Sequence, residues 1–357
     1  MPVGTAATVK GLTPADLAAL EPACILANTY HLWLRPGEDT VRRAGGIHAF
    51  MGWPGPVLTD SGGFQLLSLA HLADIREGGA EIRSHLDGEL RMLSPERAMA
   101  VQASLGSDIA MALDVCPPYP CTPMALREAT ERTARWARRS LEAEHAPGQL
   151  VFGIVQGGAD GELRRASAEA IGAMEFDGFG IGGLSVGEER DATWPALDAA
   201  VTYLPGDRPR YLMGVGSPDD VVEAISRGID LFDCVLPTRL GRNGAVFTDR
   251  GRLDLRNAAL ATRRDPIDPM CDCLACTRFS LGYLHHQVRA REELGLRLAS
   301  IHNVRFLVRL ARDARRAILE GRFADFRATA VPAWQRPNAV AGRANRERWL
   351  QGHGVRV

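Results

Sequence analysis

Two sets of residues in this chain have the types and spacing to do chemistry. Cys271, Cys273 and Cys276 crowd into six residues, while Cys24, Cys116, Cys121 and Cys234 are scattered. That distribution is a metal-binding pattern rather than a disulfide framework. Three soft thiolates with one imidazole make a closed tetrahedral zinc set. His285, His286 and His302 all follow the cluster, and spacing alone does not choose among them. An iron–sulfur cluster fits less well, because this spacing matches no common cluster motif and a histidine is at hand. A site without an open position builds structure, so reaction chemistry must be sought elsewhere.

The second set is acidic. Asp60 stands in Thr59-Asp60-Ser61-Gly62-Gly63-Phe64-Gln65, Asp114 ends the apolar run 109–113, and Asp233 lies within 231–235. Other apolar runs open into Gln156-Gly157-Gly158, Gly182-Gly183-Leu184-Ser185-Val186-Gly187 and Met213-Gly214-Val215-Gly216. With no Ser–His pair, P-loop or catalytic metal set in the sequence, covalent work falls to a carboxylate. One aspartate as nucleophile and another for proton transfer suit displacement at an anomeric carbon. Asp114, Gln156 and glycine-bared backbone amides suit the edge of a planar heterocycle. Phe64 or Met213 would pack on its face. A lone aspartate at a strand end is more often a loop cap. Three of them, with a glutamine and glycine turns, point to a pocket for a nucleoside-like substrate.

Such residues need a scaffold that gathers them at one mouth. Apolar runs at 2–4, 24–28, 57–59, 109–113, 150–155, 178–181, 211–215 and 231–235 predict strands buried on both faces, as a parallel sheet requires. Thr13-Pro14, Ser94-Pro95, Thr122-Pro123 and Ser217-Pro218 each pair an N-cap with proline at the first helical position. Asp219 and Asp220 suit the positive end of their helix. Asp87-Gly88 reads as the turn of a β-hairpin over 81–93, inserted after the third strand. Eight β-then-α units over about 250 residues predict an α/β fold, a (β/α)8 TIM barrel, with active residues at the C-terminal strand ends. The runner-up, an open doubly wound sheet, lacks its glycine-rich phosphate fingerprint after the first strand.

Bulk properties set the class. The 357 residues are 46% hydrophobic with a mean hydropathy of −0.10, as for a soluble globular protein. No apolar run reaches membrane-spanning length, and the start has no signal-like h-region. With clustered thiols, a reducing cytoplasm is expected. The net charge of −1 argues against a non-specific nucleic-acid binder. Yet residues 289–357 hold 15 arginines against 6 acidic residues, leaving the remainder near −10. That asymmetry marks either a polyanionic partner or a solvated helical face, and charge alone favours the second.

At this point the chain resembles the tRNA-guanine transglycosylases of bacterial type. Met1-Pro2-Val3-Gly4-Thr5, the Asp60 motif, Gly153-Ile154-Val155-Gln156-Gly157, Gly180–Glu188, Tyr211–Gly216, Phe232–Arg239 and the three-cysteine cluster occur in family order. Together they are specific over nearly the whole chain. The resemblance implies Asp233 as nucleophile at the ribose C1′ and Asp60 as general acid/base. It implies Asp114, Cys116, Gln156, Gly183 and Leu184 as the base-recognition set, with Phe64 and Met213 sandwiching the ring. Arg239 and Arg242 would hold the tRNA anticodon loop. Cys271, Cys273, Cys276 and His302 would bind one structural Zn2+ per chain. Cys116 with Val186 follows the bacterial pattern, so the incoming base is expected to be the 7-deazaguanine preQ1 rather than queuine. A homodimer through Phe279, Tyr283 and His286, which recur at helical spacing, is a further expectation; periodicity alone would instead pack that face on the barrel. The chain then divides into a barrel (1–257), a zinc-binding subdomain after strand eight (258–302) and a C-terminal helical segment (303–357). Relatives usually carry a strand pair ahead of the first motif, so either the start is misassigned or the barrel floor is incomplete.

Three other functions compete. A non-catalytic partner subunit should lack the aspartate pair that is present here. A barrel glycoside hydrolase should show aromatic sugar platforms, yet aromatic content is 6% and none of the six Trp lies in these motifs. A zinc-organised RNA-binding protein without activity would be favoured if the tail bound tRNA while a barrel mutant kept every measurable property.

Overall fold

The computed structural model of the chain describes residues 1–332 and Trp334. The last five arginines of the basic tail, and the end of the expected 303–357 segment, lie outside the described residues.

Eight parallel strands form one sheet: β1 (Val3–Gly4), β2 (Ile25–Ala27), β3 (Val57–Thr59), β4 (Ile109–Met111), β5 (Leu150–Val155), β6 (Gly178–Ile181), β7 (Arg210–Leu212) and β8 (Leu231–Phe232). Each pairs with the next in chain order, and a parallel bridge between Pro2 and Cys234 joins the last strand to the first. This is the expected (β/α)8 arrangement. Several strands are shorter than their apolar runs, because residues such as 112–114 and 213–216 leave the ladder to line the mouth.

Strand side chains alternate between faces with a period of two. Cys24, Leu26, Leu58, Met111, Phe152, Ile154 and Tyr211 consequently meet inside the barrel as a packed cluster. Two larger clusters lie between the strands and the helices outside. The lumen is a filled core, not a pore.

Local signals hold at most helix starts. Thr13, Ser94 and Thr122 accept hydrogen bonds from the backbone N–H of Asp16, Arg97 and Ala125. Ser217 instead donates to Asp220, and Asp219 and Asp220 both pair with Arg190, at 2.7 and 2.6 Å. The predicted hairpin is part of a three-stranded antiparallel sheet (Ala73–Arg76, Gly79–Arg83, Leu90–Leu93). Asp87-Gly88 lies in the longer connection 84–89 rather than in a two-residue turn, since Gly88 N–H donates to Ser84 O at 2.9 Å.

The largest departure from expectation is near the C-terminus. One helix runs from Glu293 to Leu319, crossing the anticipated boundary at 302/303 and placing His302 mid-helix. Buried Leu298, Ile301 and Val304 continue one stripe through that point, so nothing local stops the helix. Its arginines are tied to the body. Arg297 pairs with Asp16 at 2.7 Å, Arg305 with Asp272 at 2.5 Å, Arg312 with Glu21 at 2.7 Å, and Arg309 with Asp268. Arg327, on the following helix, reaches Glu223 at 2.8 Å. Much of the tail's positive charge is therefore met inside the molecule.

Candidate active site and metal centre

The lumen parity extends two residues past several strands and delivers polar groups to the mouth. Leu26 leads to Asn28, Leu58 to Asp60, Ile154 to Gln156, Tyr211 to Met213 and Leu231 to Asp233. Asp114, three residues beyond Met111, is off this parity and arrives through the turn after β4.

Asp60 is held from β2. Thr29 N–H donates to its Oδ1 at 2.8 Å, Asn28 Nδ2 donates to its Oδ2, and Thr29 Oγ1 donates to its backbone carbonyl. Burial nonetheless pushes its carboxyl up to about 7, and the charges of Asp233 and Asp114 add to the push against the Thr29 bond. Asp233 is fixed from β7: Tyr211 OH donates to its Oδ1 at 2.5 Å and Gly214 N–H to the same oxygen at 2.7 Å. Its second oxygen is left for other partners. Burial, then the neighbouring Asp233 charge, keeps the Tyr211 phenol well above its ordinary range and so protonated.

Asp114 and Gln156 are both buried. Gln156 Nε2 donates to Asp114 Oδ2 at 2.7 Å, and Ser61 Oγ donates to Oδ1 at 3.1 Å. Burial raises the Asp114 carboxyl against those two bonds. Gly63 has to be glycine, because a Cβ there would lie 2.0 Å from Asp114 Oδ1. Leu184 is buried beside Gly183, which adopts φ +64°, and Cys116 is buried with its thiol pushed up to about 12 by desolvation. The loop after β6 is braced by Glu188, which accepts from Ser185 N–H (2.5 Å), Val186 N–H (3.1 Å) and Thr193 Oγ1 (2.8 Å). Gly183, Val186 and Glu188 line a cavity of about 250 Å³ shared with the 117–121 loop. Met213 packs on the lumen cluster, and Phe64 stands at the lip, 47% exposed. A second cavity of about 490 Å³ lies between the β1/β8 seam and the long helix; of the acidic trio it touches Asp233 alone. Arg239 and Arg242 are exposed on the short helix Leu236–Arg242 that follows β8.

Far from this mouth in sequence, Cys271, Cys273, Cys276 and His302 converge, their ligand atoms all within 4.8 Å of one another and all four residues buried. His302 Nε2 lies 2.8 Å from Phe247 O and donates to it, which leaves Nδ1 as the acceptor, 3.2 Å from Cys276 Sγ. An imidazole oriented by a carbonyl, facing three thiols with no carboxylate, is a donor set that could hold a metal ion. The open choice of histidine is resolved by the fold: His285 is turned away to Leu255 O at 2.8 Å, and His286 is exposed. Asn303, next in the helix, bonds Phe247 N–H, Pro237 O and Ala245 O, so the ligand-bearing turn is stapled to its surroundings. Phe279 and Tyr283 stack at 5.1 Å, with Tyr283 and His286 facing outward rather than against the barrel.

Sequence reasoning passed over the residues that hold the acidic groups. Asn28 and Thr29 follow β2 as Asp60 follows β3, so strand-end position alone would have found them. Tyr211 and Ser61 were visible inside motifs but had no signal of their partners.

The family model described as Queuine tRNA-ribosyltransferase matches residues 1–336. Relatives of that name include one from Moorella thermoacetica, 55% identical over 322 residues, covering 90% of this chain and 86% of that protein. One from Symbiobacterium thermophilum is 53% identical over 355 residues, covering 99% and 88%. One from Listeria innocua is 51% identical over 328 residues, covering 92% and 86%. A strand-end acidic set, a Cys3His corner and a family match across almost the whole length agree, and the chain belongs to the queuine tRNA-ribosyltransferase family.

Proposed function

We propose that this enzyme exchanges guanine at the anticodon wobble position of queuosine-family tRNAs for preQ1, through a covalent aspartyl–ribose intermediate. The observation that carries the reading is the unequal treatment of two carboxylates in one mouth. Asp233 is pinned by two donors on one oxygen, while Asp60 is buried and raised to about 7. A carboxylate held by two donors beside a carboxyl raised by burial suits a division into nucleophile and proton carrier.

In the first half-reaction an Asp233 oxygen attacks C1′ as the N9–C1′ bond breaks. Guanine leaves with the bonding pair and takes the proton of Asp60. In the second, the incoming base gives its N9 proton to the Asp60 carboxylate, its nitrogen attacks C1′, and Asp233 departs. Asp114 accepts from the ring N–H and 2-amino group, and Gln156 Nε2 donates to the 6-oxo group. Phe64 and Met213 cover the faces, with Gly183 and Leu184 at the edge. Val186, in the loop after β6, sets the room for the 7-substituent, which favours the small aminomethyl group over queuine. Arg239 and Arg242 contact the phosphates of the anticodon loop.

Zn2+ in the Cys3His corner supplies structure and no reaction step. Tyr283 and His286, exposed on the helix that follows the cysteine cluster, support a homodimer, and no helix among the described residues is long and apolar enough to span a membrane. The test is incubation with tRNA and radiolabelled guanine. Label at the wobble position supports the proposal; no incorporation with a folded, zinc-loaded protein defeats it.

A further inference from the structure

Beneath the base pocket lies a charged side chain that the reaction above does not use. Arg164 projects inward from the helix Gly161–Gly172 and is 0% exposed. Its Nε donates to Gly158 O at 2.7 Å and its Nη1 to Val155 O at 3.1 Å. Its Nη2 is buried and meets no acceptor among the described residues. Gln156 has the complementary fault: Nε2 donates to Asp114, while Oε1 is buried and meets no donor. Both orphans lie close to Gly183. A Cβ built there would lie 2.2 Å from Gln156 Oε1 and 3.5 Å from Arg164 Nη2. Both atoms thus border one small space that glycine keeps open. An unsatisfied buried donor and an unsatisfied buried acceptor each carry a desolvation penalty, and both penalties disappear if the groups serve each other.

We propose that Arg164 is a positioning residue that locks the Gln156 amide, its Nη2 donating to Oε1 directly or through one water in the Gly183 gap. An amide reads a base by which of its ends it presents. With Oε1 held by Arg164 and one Nε2 hydrogen held by Asp114, the other Nε2 hydrogen is what remains for the base. The locked amide accepts a 6-oxo base and rejects a 6-amino base. The guanidinium is suited to this task because its other two nitrogens are anchored to carbonyls at and just past the end of β5, the strand that carries Gln156. Burial lowers Arg164 to about 10, so it is cationic at neutral pH. The inference rests on the reading of this pocket as a guanine-class base site.

The experiment compares guanine with 2,6-diaminopurine as incoming base, at saturating tRNA, in wild type, Arg164→Met and Arg164→Lys. In Arg164→Met the KM for guanine should rise roughly tenfold with kcat within about twofold, and the preference in kcat/KM for guanine should shrink roughly tenfold. Arg164→Lys keeps charge but not the fork, and its preference should shrink about threefold. A folded Arg164→Met that loses kcat and melting temperature but keeps the wild-type preference would overturn the proposal, leaving Arg164 as a prop for the end of β5. If Arg164→Met does not fold, a wild-type preference in Arg164→Lys overturns it. If wild type exchanges no base into tRNA, the proposed function falls instead. The two bases are then compared by calorimetric Kd, where an unchanged ratio in the variants again rules out the lock.

Discussion

The barrel mouth and the Cys3His corner both gather residues from distant parts of the chain, but they treat their polar atoms in opposite ways. In the corner every donor has a use: three thiols and one imidazole nitrogen face one point, and the other nitrogen bonds Phe247 O. In the mouth, the Asp60 and Asp114 carboxyls are crowded and raised by burial, and Gln156 Oε1 and Arg164 Nη2 are buried without partners among the described residues. Satisfied polar clusters stabilise a fold, whereas unsatisfied ones store the electrostatic imbalance that a reaction discharges. Within the mouth, Asp233 takes both of its donors on one oxygen, whereas Asp60 takes one on each and is raised by burial.

Asp233→Asn is expected to have the largest effect. It keeps the shape and removes the nucleophile, so exchange should fall by at least roughly 10³-fold and the denaturant-stable protein–RNA adduct should vanish. Near-normal turnover on a labelled-guanine assay would merge the two carboxylates and end the distinction.

Asp60→Ala should lower exchange by about 10²–10⁴-fold while tRNA binding persists in a gel-shift assay. The pH dependence sharpens this. Because the Asp60 carboxyl is raised to about 7, it is protonated below that pH and ionised above it. Adduct formation, which needs the acid, should slow as pH rises through about 7; release by incoming base, which needs the carboxylate, should slow as pH falls through it. Single-turnover rates of the two half-reactions should cross. Parallel limbs would remove Asp60 from the proton path.

Replacing Cys273 by Ser, or stripping the metal, should lower the melting temperature, because metal binding at such a site is coupled to folding. Sedimentation should show a loosened dimer with weaker tRNA binding. The mouth should survive, read as retained guanine affinity; loss of base binding in parallel would mean that the two regions are not separable. Val186→Gly acts inside the mouth alone: it should admit larger 7-substituted deazaguanines with tRNA affinity unchanged, as competition assays would show.

The smallest effect belongs to the ion pairs of the long helix. Arg312→Ala removes a pair with Glu21 that is largely exposed on both sides, and should leave the denaturation midpoint close to that of wild type. A larger drop in chemical denaturation would show that the basic helix is held by charge rather than by its apolar stripe.

Legibility in the sequence followed the range of the forces involved. The eight strands were readable because burial on both faces imposes an uninterrupted apolar run, and Thr13, Ser94 and Thr122 were readable because capping is settled within one turn of chain. The turn at Asp87-Gly88 was misjudged in length because Ser84 closes the loop by bonding Gly88 N–H and Glu89 O, partners that the Asp-Gly pair does not announce. The boundary at 302/303 failed because a metal-ligand histidine looks like the end of a motif, while the apolar stripe through Leu298, Ile301 and Val304 continues regardless. The basic tail was visible as composition, but its partners Asp16, Glu21, Asp268 and Asp272 lie elsewhere in sequence, so its internal neutralisation was not.

By itself the sequence determined the strand set, the three thiols, and the presence of Asp60, Asp114, Gln156 and Asp233 at strand ends, since those follow from local pattern and residue type. Only the tertiary structure decided that His302 and neither His285 nor His286 faces the thiols, and that Thr29 and Tyr211 hold the two carboxylates. It alone set Asp60 near 7 and left Arg164 and Gln156 unpaired around Gly183. Ligand choice, pKa and orphaned hydrogen bonds depend on distances between residues far apart in the chain and on the water that packing removes, and neither quantity is written in any local stretch of sequence.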